Sequence, residues 1–354
     1  MLTSAEFTVD VIVIGAGQAG LAAAYYLQQQ QADFVVLDDR QAVGDVWATR
    51  FDALTLFSPA WVSDLPGRAW SGNRLRYPSK DEASRYLHDY ATHFRFPIHL
   101  QQRVVRVRPR GAGGYSVFTA AGQHYQARAV IVCTGAYNAP RQPGFAQELA
   151  PTVRQLHSQQ YQRPEQLSGQ GPVAVVGSGN SALQIAADLA VTGRPVYAAY
   201  DARTPDLPNN TAMWAFLAVT GLLRASRHTL LGAKLRLRPE PVVSSDLSRL
   251  RHLPNVTFIG RALQVDNATA LRGYRASTPA LEHVVWATGY GPAFDWLEVP
   301  VLDAEGEPRH HRGMTQAPGL AFLGLPWLNS RSSALMGGAG PDARYVVEHL
   351  LKTS

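Results

Sequence analysis

Two glycine-rich stretches of this chain have the residue types and the spacing that bind phosphate groups. The first is Gly15-Ala16-Gly17-Gln18-Ala19-Gly20, and the second is Gly177-Ser178-Gly179-Asn180-Ser181-Ala182. In each stretch the first glycine allows a tight turn, the second lets a pyrophosphate approach the backbone, and the third small residue allows close helix–strand packing. A helix that follows such a turn offers free N–H groups and its positive dipole end to an anion. The two stretches therefore predict two dinucleotide sites.

The surrounding sequence predicts a strand before each glycine stretch and a helix after it. "VDVIVI" and "VAVV" are apolar β-runs, typical of strands covered on both faces. Helices are predicted over about 21–30 and over 183–191. In each unit the next strand ends at an acidic residue, Asp38 or Asp201, and such a side chain accepts hydrogen bonds from ribose hydroxyls. The alternative is one doubly wound sheet whose second glycine loop binds nothing.

Two further apolar strands end in the sequence Thr-Gly. They are "RAVIVCTGAYNAP", with Thr134 and Gly135, and "EHVVWATGYGP", with Gly289. A glycine at these positions lets the chain leave the sheet close to a bound cofactor, which suggests two crossings between domains. We therefore expect an α/β fold with two Rossmann-like domains, the second inserted in the first. The predicted boundaries are 1–150 and 287–354 for the first domain and 151–286 for the second.

The composition excludes several classes of protein. Of the 354 residues, 46% are hydrophobic and 17% charged, which indicates a globular chain. The formal net charge is +6 without a block of Lys and Arg, which favours anionic cofactors and gives no reason to expect a nucleic-acid partner. Cys133 is the one cysteine, so an intrachain disulfide, a CxxC redox pair and a thiolate metal cluster are excluded. We expect no metal site.

No targeting or membrane-spanning segment is predicted. The first residues lead into a strand without a basic n-region or cleavage site, so a signal peptide is not expected. The longest apolar run, over 212–223, is too short to span a bilayer. These features favour a cytoplasmic protein.

With these motifs the chain resembles the class B flavin-containing monooxygenases, in the short bacterial form associated with metal or arsenic resistance. The resemblance covers nearly the full length. "GDVW" is similar to the family's GGxW segment, with Asp45 in place of the second glycine. "LHSQQY" matches the second half of the FxGxxxHxxxY/F signature through His157 and Tyr161, whereas Pro151 and Val153 replace its Phe and Gly. The tail over 318–350 resembles the returning strand and final helix of the FAD domain.

The resemblance implies FAD in the first loop and NADPH or NADH in the second. It also implies transfer of one atom of O2, through a C4a-hydroperoxyflavin, to a small substrate with a soft S, N or As nucleophile or to a ketone. The flavin carries this chemistry and the protein binds and orients, so no side chain is assigned with certainty as catalytic. An FAD-dependent NAD(P)H dehydrogenase, quinone reductase or oxidase would have both loops as well. A non-enzymatic redox sensor is the third alternative.

The motifs and the resemblance together assign the site residues. Those expected at the FAD are Gly15, Gly17, Gln18, Ala19, Gly20, Asp38, Gly44, Asp45, Val46, Trp47, Ser58 and Val104. Those expected at NAD(P)H are Gly177, Ser178, Gly179, Asn180, Ser181, Asp201 and Arg203, and Thr134, Gly135, Gly289 and Leu325 are expected to bind a cofactor without assignment to one of the two. Trp47, Phe57, Ser58 and His157 are candidates to line the flavin ring. Trp47 and Phe57 could instead be core residues, and His157 could be structural.

The strand after the second loop bears on the choice of nicotinamide cofactor. It ends at Asp201 instead of an arginine, although Arg203 is close. A 2′-phosphate needs a cation, whereas an acidic residue suits an unmodified ribose. We therefore expect NADH to be accepted at least as well as NADPH.

The segment 209–238 is open to three interpretations. An apolar stretch is followed by five cationic residues, which are Arg224, Arg227, Lys234, Arg236 and Arg238. The segment could be a membrane-surface helix, a lid over the substrate mouth or a helical pair packed on the second domain, and the last is slightly favoured. His310 and His311 are interpreted as surface residues. The expected partners are a small substrate and O2, and the pattern leaves membrane contact and a homodimer open.

Overall fold

The computed structural model describes residues 6–353 of the chain. Two large sheets and three two-stranded ribbons contain its strands. In chain order the strands are β1 Glu6–Ile14, β2 Phe34–Leu37, β3 Ile98–His99, β4 Val104–Pro109, β5 Tyr115–Thr119, β6 His124–Val132, β7 Ala139–Pro140, β8 Arg154–His157, β9 Val173–Val176, β10 Val196–Ala199, β11 Asp206–Leu207, β12 Val242–Val243, β13 Val256–Phe258, β14 Ala262–Asp266, β15 Ala270–Gly273, β16 His283–Trp286, β17 Tyr290–Gly291 and β18 Leu320–Phe322. The α-helices are α1 Gln18–Gln29, α2 Asp45–Ala48, α3 Lys80–Phe94, α4 Asn180–Ala190, α5 Thr211–Val219, α6 Leu230–Arg236, α7 Asp246–Leu250 and α8 Ala339–Thr353.

The first sheet has the order β3-β2-β1-β6-β5-β4, with β18 also paired to β6. Strands β3, β2, β1, β6 and β18 run parallel, and β4 and β5 add an antiparallel hairpin. Because β6 is long, its first half pairs with β5 and its last three residues with β18. The C-terminal part of the chain thus completes the sheet that the N-terminal part begins.

The second sheet has the order β13-β10-β9-β16-β8 and is parallel throughout. Its central strand β9 is buried on both faces, as is the equivalent end of β1, which explains why both read as continuous apolar runs. Alanines dominate the buried face of α1, and their small side chains let that helix approach the sheet closely. The α/β fold with two Rossmann-like units that the sequence predicts is therefore confirmed.

The carboxyl ends of the parallel strands place the expected site residues at one edge of each sheet. Ligands of such folds bind in the crevice at this edge. The residues that follow strand ends are Gly15, Asp38, Thr134 and Leu325 in the first sheet, and Gly177, Asp201 and Gly289 in the second. The predicted strand ends extend slightly too far, since β2 ends at Leu37 and β10 at Ala199.

The two chain exits from the sheets pair with each other. Strands β7 and β17 form an antiparallel ribbon in which Tyr290 lies opposite Pro140. Gly135 and Gly289 precede the ribbon with positive φ values of 73° and 82°, a backbone region that favours glycine. The ribbon connects the sheets beside their carboxyl edges. The domain boundaries themselves remain a prediction.

None of the helices within residues 6–353 has the length and apolar character needed to cross a membrane.

Candidate dinucleotide sites

Gly15 and Gly20 are required by packing in the first loop. A Cβ atom on Gly15, whose φ is 106°, would lie 2.7 Å from the carbonyl oxygen of Cys133 on the neighbouring strand end. A Cβ atom on Gly20 would overlap the carbonyl oxygen of Gly15. Gly17 differs, since no atom lies within 4 Å of the position that its Cβ would take. The loop is therefore tight at both ends and open at its middle glycine.

The helices after both loops begin without a side-chain cap. Gly17 is the N-cap of α1 and Gly179 that of α4, and neither first turn contains an acidic residue. In contrast, α3 begins with a capping box formed by Ser79 and Glu82. An uncapped N-terminus leaves N–H groups without side-chain partners, next to the positive end of the helix dipole. Both helix starts therefore have the donors that a pyrophosphate needs.

Asp38 holds the first loop in place. One carboxylate oxygen accepts a hydrogen bond from the Ala16 N–H at 2.5 Å and the other accepts from the Arg40 N–H at 2.9 Å. Burial raises the pKa of this carboxyl, and the two hydrogen bonds oppose that shift. Since each oxygen keeps a second lone pair, Asp38 can also accept a hydrogen bond from a ribose hydroxyl.

The second loop is fastened by its own side chains. The Ser178 hydroxyl accepts a hydrogen bond from the Asp201 N–H at 2.8 Å, and the Asn180 side-chain oxygen accepts from the Val243 N–H at 3.0 Å. A Cβ atom on Gly177 would overlap a neighbouring carbonyl, whereas Gly179 has open space. The loop thus repeats the steric arrangement of the first. Ser181, in the first turn of α4, is exposed.

Asp201 and Arg203 form an ion pair beyond the end of β10. The Arg203 Nε lies 3.0 Å from one carboxylate oxygen and its Nη2 lies 2.7 Å from the other. These hydrogen bonds lower the pKa of Asp201 to about 2, so that carboxyl is ionised at neutral pH. An anion and a cation therefore stand together at the carboxyl end of β10.

The GDVW segment forms the short helix α2. Gly44, with φ 97°, precedes it, and the Asp45 carboxylate accepts a hydrogen bond from the Ala42 N–H at 2.9 Å. The indole Nε1 of Trp47 is buried and has no hydrogen-bond partner among the described residues, and the same holds for the Thr134 hydroxyl. Unpartnered buried polar atoms at a sheet edge need a partner, which a bound ligand would supply.

Arg50 connects this helix to the ribbon. Its Nε donates to the Val46 carbonyl at 3.3 Å, and its Nη1 donates to the Tyr290 hydroxyl at 3.1 Å. Through this side chain α2 and strand β17 keep a fixed spacing.

His157 uses both ring nitrogens within the protein. Its Nδ1 accepts from the Gln159 N–H at 3.2 Å, so its Nε2 is the donor to the Gly289 carbonyl at 3.1 Å. Burial lowers the pKa of this imidazole, which keeps it neutral. The ring also packs edge-on against Tyr290 at 5.0 Å between centroids. Of the two interpretations left open, this geometry favours a structural histidine at the crossing.

Four further residues that the sequence analysis assigned to the cofactor sites have these surroundings. Phe57 stacks on Trp214 of α5, with 6.4 Å between ring centroids, and the buried Ser58 hydroxyl lies 3.0 Å from that of Ser63. Val104 begins β4 and is half-buried, and Leu325 is buried.

A cleft of about 1080 Å³ opens beside the ribbon, where it is lined by Gly135, Tyr290 and Leu325. Its other walls hold arginines of the segment 209–238 together with His310 and His311, a group that sequence reasoning did not bring together. The signals were the arginine run and the histidine pair, but they lie far apart in the chain. The interpretation of His310 as a surface residue is wrong, since it is half-buried in this cleft.

Within residues 6–353 no group of three or more His, Cys, Asp or Glu side chains is arranged to hold a metal ion.

Comparison with known proteins gives the family. The sequence profile of the pyridine nucleotide-disulphide oxidoreductases matches residues 12–213. An uncharacterized oxidoreductase CzcO-like protein of Geobacillus kaustophilus is 38% identical, over 98% of this chain and 99% of its own. A flavin-containing monooxygenase from Stenotrophomonas maltophilia has a solved structure with a TM-score of 0.81 at 25% identity, covering 98% of this chain and 99% of that one. The structure of OTEMO in complex with FAD and NADP shares the fold, with a TM-score of 0.67 at 15% identity over 97% of this chain and 85% of that one.

These matches extend over both glycine loops and both sheets. The chain therefore belongs to the pyridine nucleotide-disulphide oxidoreductases and, within them, to the class B flavin-containing monooxygenases, oxidoreductases that use a flavin and a nicotinamide cofactor.

Proposed function

We propose that the protein uses NAD(P)H and FAD to insert one atom of O2 into a small soft nucleophile, through S, N or As, or into a ketone. The observation that carries this proposal is the pair of uncapped helix starts, α1 and α4, each behind a glycine that leaves open space. The ribbon β7–β17 links the carboxyl edges at which both helices begin. Two such pockets side by side suit a reaction in which one nucleotide reduces the other.

The residues of the first loop fit FAD. Gly17 and the N–H groups of the first turn of α1 would hold the pyrophosphate, and Asp38 the ribose. The Trp47 indole and the Thr134 hydroxyl, which have no partner among the described residues, would donate to polar groups of the flavin end. When bound, FAD would accept hydride from the nicotinamide and deliver one oxygen atom to the substrate.

The protein's own part in this reaction is binding, orientation and exclusion of water. Burial of Trp47 Nε1 and of Leu325 keeps this part of the first pocket dry. The Arg50 guanidinium donates to the Tyr290 hydroxyl, and the His157 imidazole donates to the Gly289 carbonyl. Hydrogen bonds therefore fix the chain where it leaves the second sheet and enters the ribbon. Fixed donors lower the reorganisation needed when charge develops during oxygen transfer.

The single cysteine argues against a thiol–disulfide reaction. Cys133 is buried, and burial raises the pKa of its thiol, so it is held as the unreactive thiol. With no second cysteine in the chain, a reactive dithiol cannot form. This feature supports oxygen transfer over disulfide reduction.

The nicotinamide pocket is proposed to accept NADH at least as well as NADPH. The ionised Asp201 suits the free 2′-hydroxyl of NADH and repels a 2′-phosphate. Arg203 would attract that phosphate, but its guanidinium is already engaged by the Asp201 carboxylate.

Isotope transfer tests the proposal. The purified flavoprotein would be incubated with NADH or NADPH, ¹⁸O2 and methyl phenyl sulfide, trimethylamine, arsenite or cyclohexanone. The balanced reaction for a sulfide is R–S–CH3 + O2 + NADH + H⁺ → R–S(O)–CH3 + NAD⁺ + H2O. We expect one ¹⁸O atom in the product for each NAD(P)H consumed. NAD(P)H consumption that yields only peroxide, or that needs an added quinone, with every substrate would overturn the oxygenase assignment in favour of an oxidase or a quinone reductase.

A further inference from the structure

The cleft beside the ribbon is built by three separate parts of the chain. One wall is the segment 227–238, and a second wall is the loop over 303–316. The crossing supplies Gly135 and Tyr290, and the stretch after β18 supplies Trp327. With a volume of about 1080 Å³ the cleft is large enough for a small organic substrate.

Positive side chains line this cleft from two sides. Arg227, Arg236 and Arg238 come from one wall, and Arg309 comes from the other. Within residues 6–353, none of these four arginines forms an ion pair. Cations gathered around a cavity without anionic partners attract an anionic ligand.

Three acidic residues line the cleft as well, Glu240, Asp303 and Glu307, and the first two have other partners. Glu240 accepts a hydrogen bond from the Trp327 indole and pairs with Arg331 at 3.0 Å. Asp303 accepts hydrogen bonds from the N–H groups of Glu305 and Glu307, at 3.1 and 2.8 Å. These two carboxylates therefore stabilise the walls, and the four arginines of the lining outnumber its three carboxylates.

The titration of nearby groups agrees with a surplus of positive charge. The pKa of His310 is lowered to about 4 by burial and then by Arg227 and Arg236. Burial also lowers the pKa of Arg227, and Arg236 lowers it further. Every charge that contributes to these shifts is positive.

Trp327, which lines the cleft, has an unfavourable backbone conformation. Its φ of 53° is uncommon for a residue other than glycine, and the Arg227 Nη1 holds its carbonyl at 3.0 Å. Strained residues persist where the surroundings hold them, and they cluster at ligand sites. Beside Trp327 the cleft also has the apolar side chains of Phe294 and Met314.

We infer that this cleft is the substrate site and that it takes a small molecule whose anionic group, a carboxylate or a phosphate, contacts Arg236 and Arg227 while its apolar part packs on Trp327. The inference rests on the proposed function, since it names the substrate class of that reaction. The cleft is lined by Gly135 and Leu325, which follow strands β6 and β18 of the first sheet, and by no residue of the second glycine loop. It therefore suits a substrate beside the flavin better than the pyrophosphate of the nicotinamide cofactor.

Calorimetric titration of the purified flavoprotein tests this inference without turnover. The probes are 4-(methylthio)benzoate, its neutral analogue 4-(methylthio)benzamide, NADP⁺ and inorganic phosphate. Arg236 is exposed, so Arg236→Gln is expected to fold normally, and Arg236→Lys keeps the charge. Lys234→Gln is the matched control, because it removes the same charge from the same helix outside the cleft lining. We expect Arg236→Gln to weaken binding of the benzoate about 10-fold, with the benzamide unchanged and Arg236→Lys close to wild type.

Three results would overturn the inference. They are equal binding of the acid and the amide by the wild type, an equal effect of Lys234→Gln, and a loss confined to NADP⁺ or inorganic phosphate. The last would assign the cleft to a cofactor phosphate or to a free anion. Failure of the proposed function is distinguishable, since the benzoate would still bind to the arginines while no ¹⁸O entered it.

Discussion

Gly20 has no room for an added methyl group, whereas Gly17 has open space. Substitutions at these two glycines therefore distinguish an effect on folding stability from an effect on cofactor binding. In Gly20→Ala the new Cβ would overlap the Gly15 carbonyl, so α1 must shift, and we expect a loss of about 1–3 kcal/mol in the free energy of unfolding. In Gly17→Ala the methyl group enters open space, and the φ of −75° suits any residue. This variant should keep the stability of the apoprotein.

The affinity for FAD is the second property that distinguishes Gly17→Ala from the wild type. The methyl group of Gly17→Ala lies where the pyrophosphate is proposed to approach, so we expect FAD to bind at least about 10-fold more weakly. Thermal unfolding of the apoprotein and fluorescence titration with FAD measure the two effects. Gly179→Ala is the control, and it should weaken NADP⁺ binding while leaving FAD binding intact. Wild-type FAD affinity in Gly17→Ala would contradict the placement of the cofactor.

Asp201 and Arg203 provide the second residue-scale prediction. Because the pKa of Asp201 is about 2, its charge is constant from pH 5 to pH 9, and only substitution removes it. Asp201→Asn should raise kcat/KM for NADPH relative to NADH by about 10-fold, since the repulsion of a 2′-phosphate is lost and Arg203 is released. Arg203→Gln should change the ratio in the opposite direction. Steady-state kinetics with both cofactors measure it, and an unchanged ratio in both variants would place the ribose elsewhere.

At the scale of elements, the segment 209–238 is bound to the C-terminal part of the chain. The Ser226 hydroxyl donates to the Asn329 side-chain oxygen at 3.0 Å, and the Arg227 N–H donates to the Asn329 carbonyl at 2.7 Å. Asn329 lies outside the predicted second domain, 151–286. The slightly favoured expectation of a helical pair packed on that domain is therefore wrong for residues 226 and 227. Its contacts fit a lid over the cleft.

Ser226→Ala tests how firmly this lid is held. The change removes two side-chain hydrogen bonds, one donated to Asn329 and one accepted from the His228 N–H at 3.3 Å, together worth about 1–2 kcal/mol, and leaves both sheets untouched. We expect amide hydrogen exchange over 226–236 to become about 5- to 10-fold faster, with an unchanged Tm. Ser248→Ala, an exposed serine on α7, is the control and should leave that exchange rate as in the wild type. Equal exchange in all three proteins would mean that other contacts hold the lid.

Strands and turns could be predicted from the sequence because the patterns that indicate them lie within a few consecutive residues. The apolar runs gave β1 and β9, and the glycine spacing gave the turns after them. The starts of α1 and α4 were placed about three residues late, because each helix begins directly after its middle glycine instead of after the third small residue. The cleft could not be predicted, because Arg236 and His310 are far apart in the chain and line one cavity only when the segment 209–238 packs beside Trp327. No local pattern encodes such a contact.

At the scale of the whole molecule, several contacts join the two sheets and their flanking elements, among them Arg50–Tyr290, the backbone pair Asp52–Gln162 and the two described next. The ribbon β7–β17 joins them through the backbone, and Gln184 of α4 joins them through its side chain. That amide accepts from the Thr55 N–H at 3.2 Å and donates to the Thr55 carbonyl at 3.0 Å. The helix behind the nicotinamide loop is therefore bonded directly to the stretch that follows Trp47. Together with the other contacts, it fixes α4 against the first part of the chain.

Stability of the whole chain should depend on pH through its neutral histidines. Burial lowers the pKa of His157, of His228 and of His310, the last to about 4. Since the folded-state pKa lies below the ordinary value of about 6.5, the unfolded chain binds protons first as the pH falls. The stabilisation is therefore complete above pH 6.5 and is lost between pH 6.5 and pH 4. Carboxyls such as Asp342, whose pKa burial raises, act in the opposite direction.

The variant His310→Gln isolates one part of this dependence. We expect the free energy of unfolding of the wild type to fall more between pH 7 and pH 5 than that of His310→Gln, by about 1 kcal/mol after allowance for solvent screening. Urea unfolding at both pH values measures the difference, and His252→Gln, an exposed histidine, should behave as the wild type. Parallel pH profiles for wild type and His310→Gln would mean that His310 titrates as freely in the folded chain as in the unfolded one. Burial, the largest cause of the lowered pKa, would then be absent, and His310 would be in contact with solvent at the cleft.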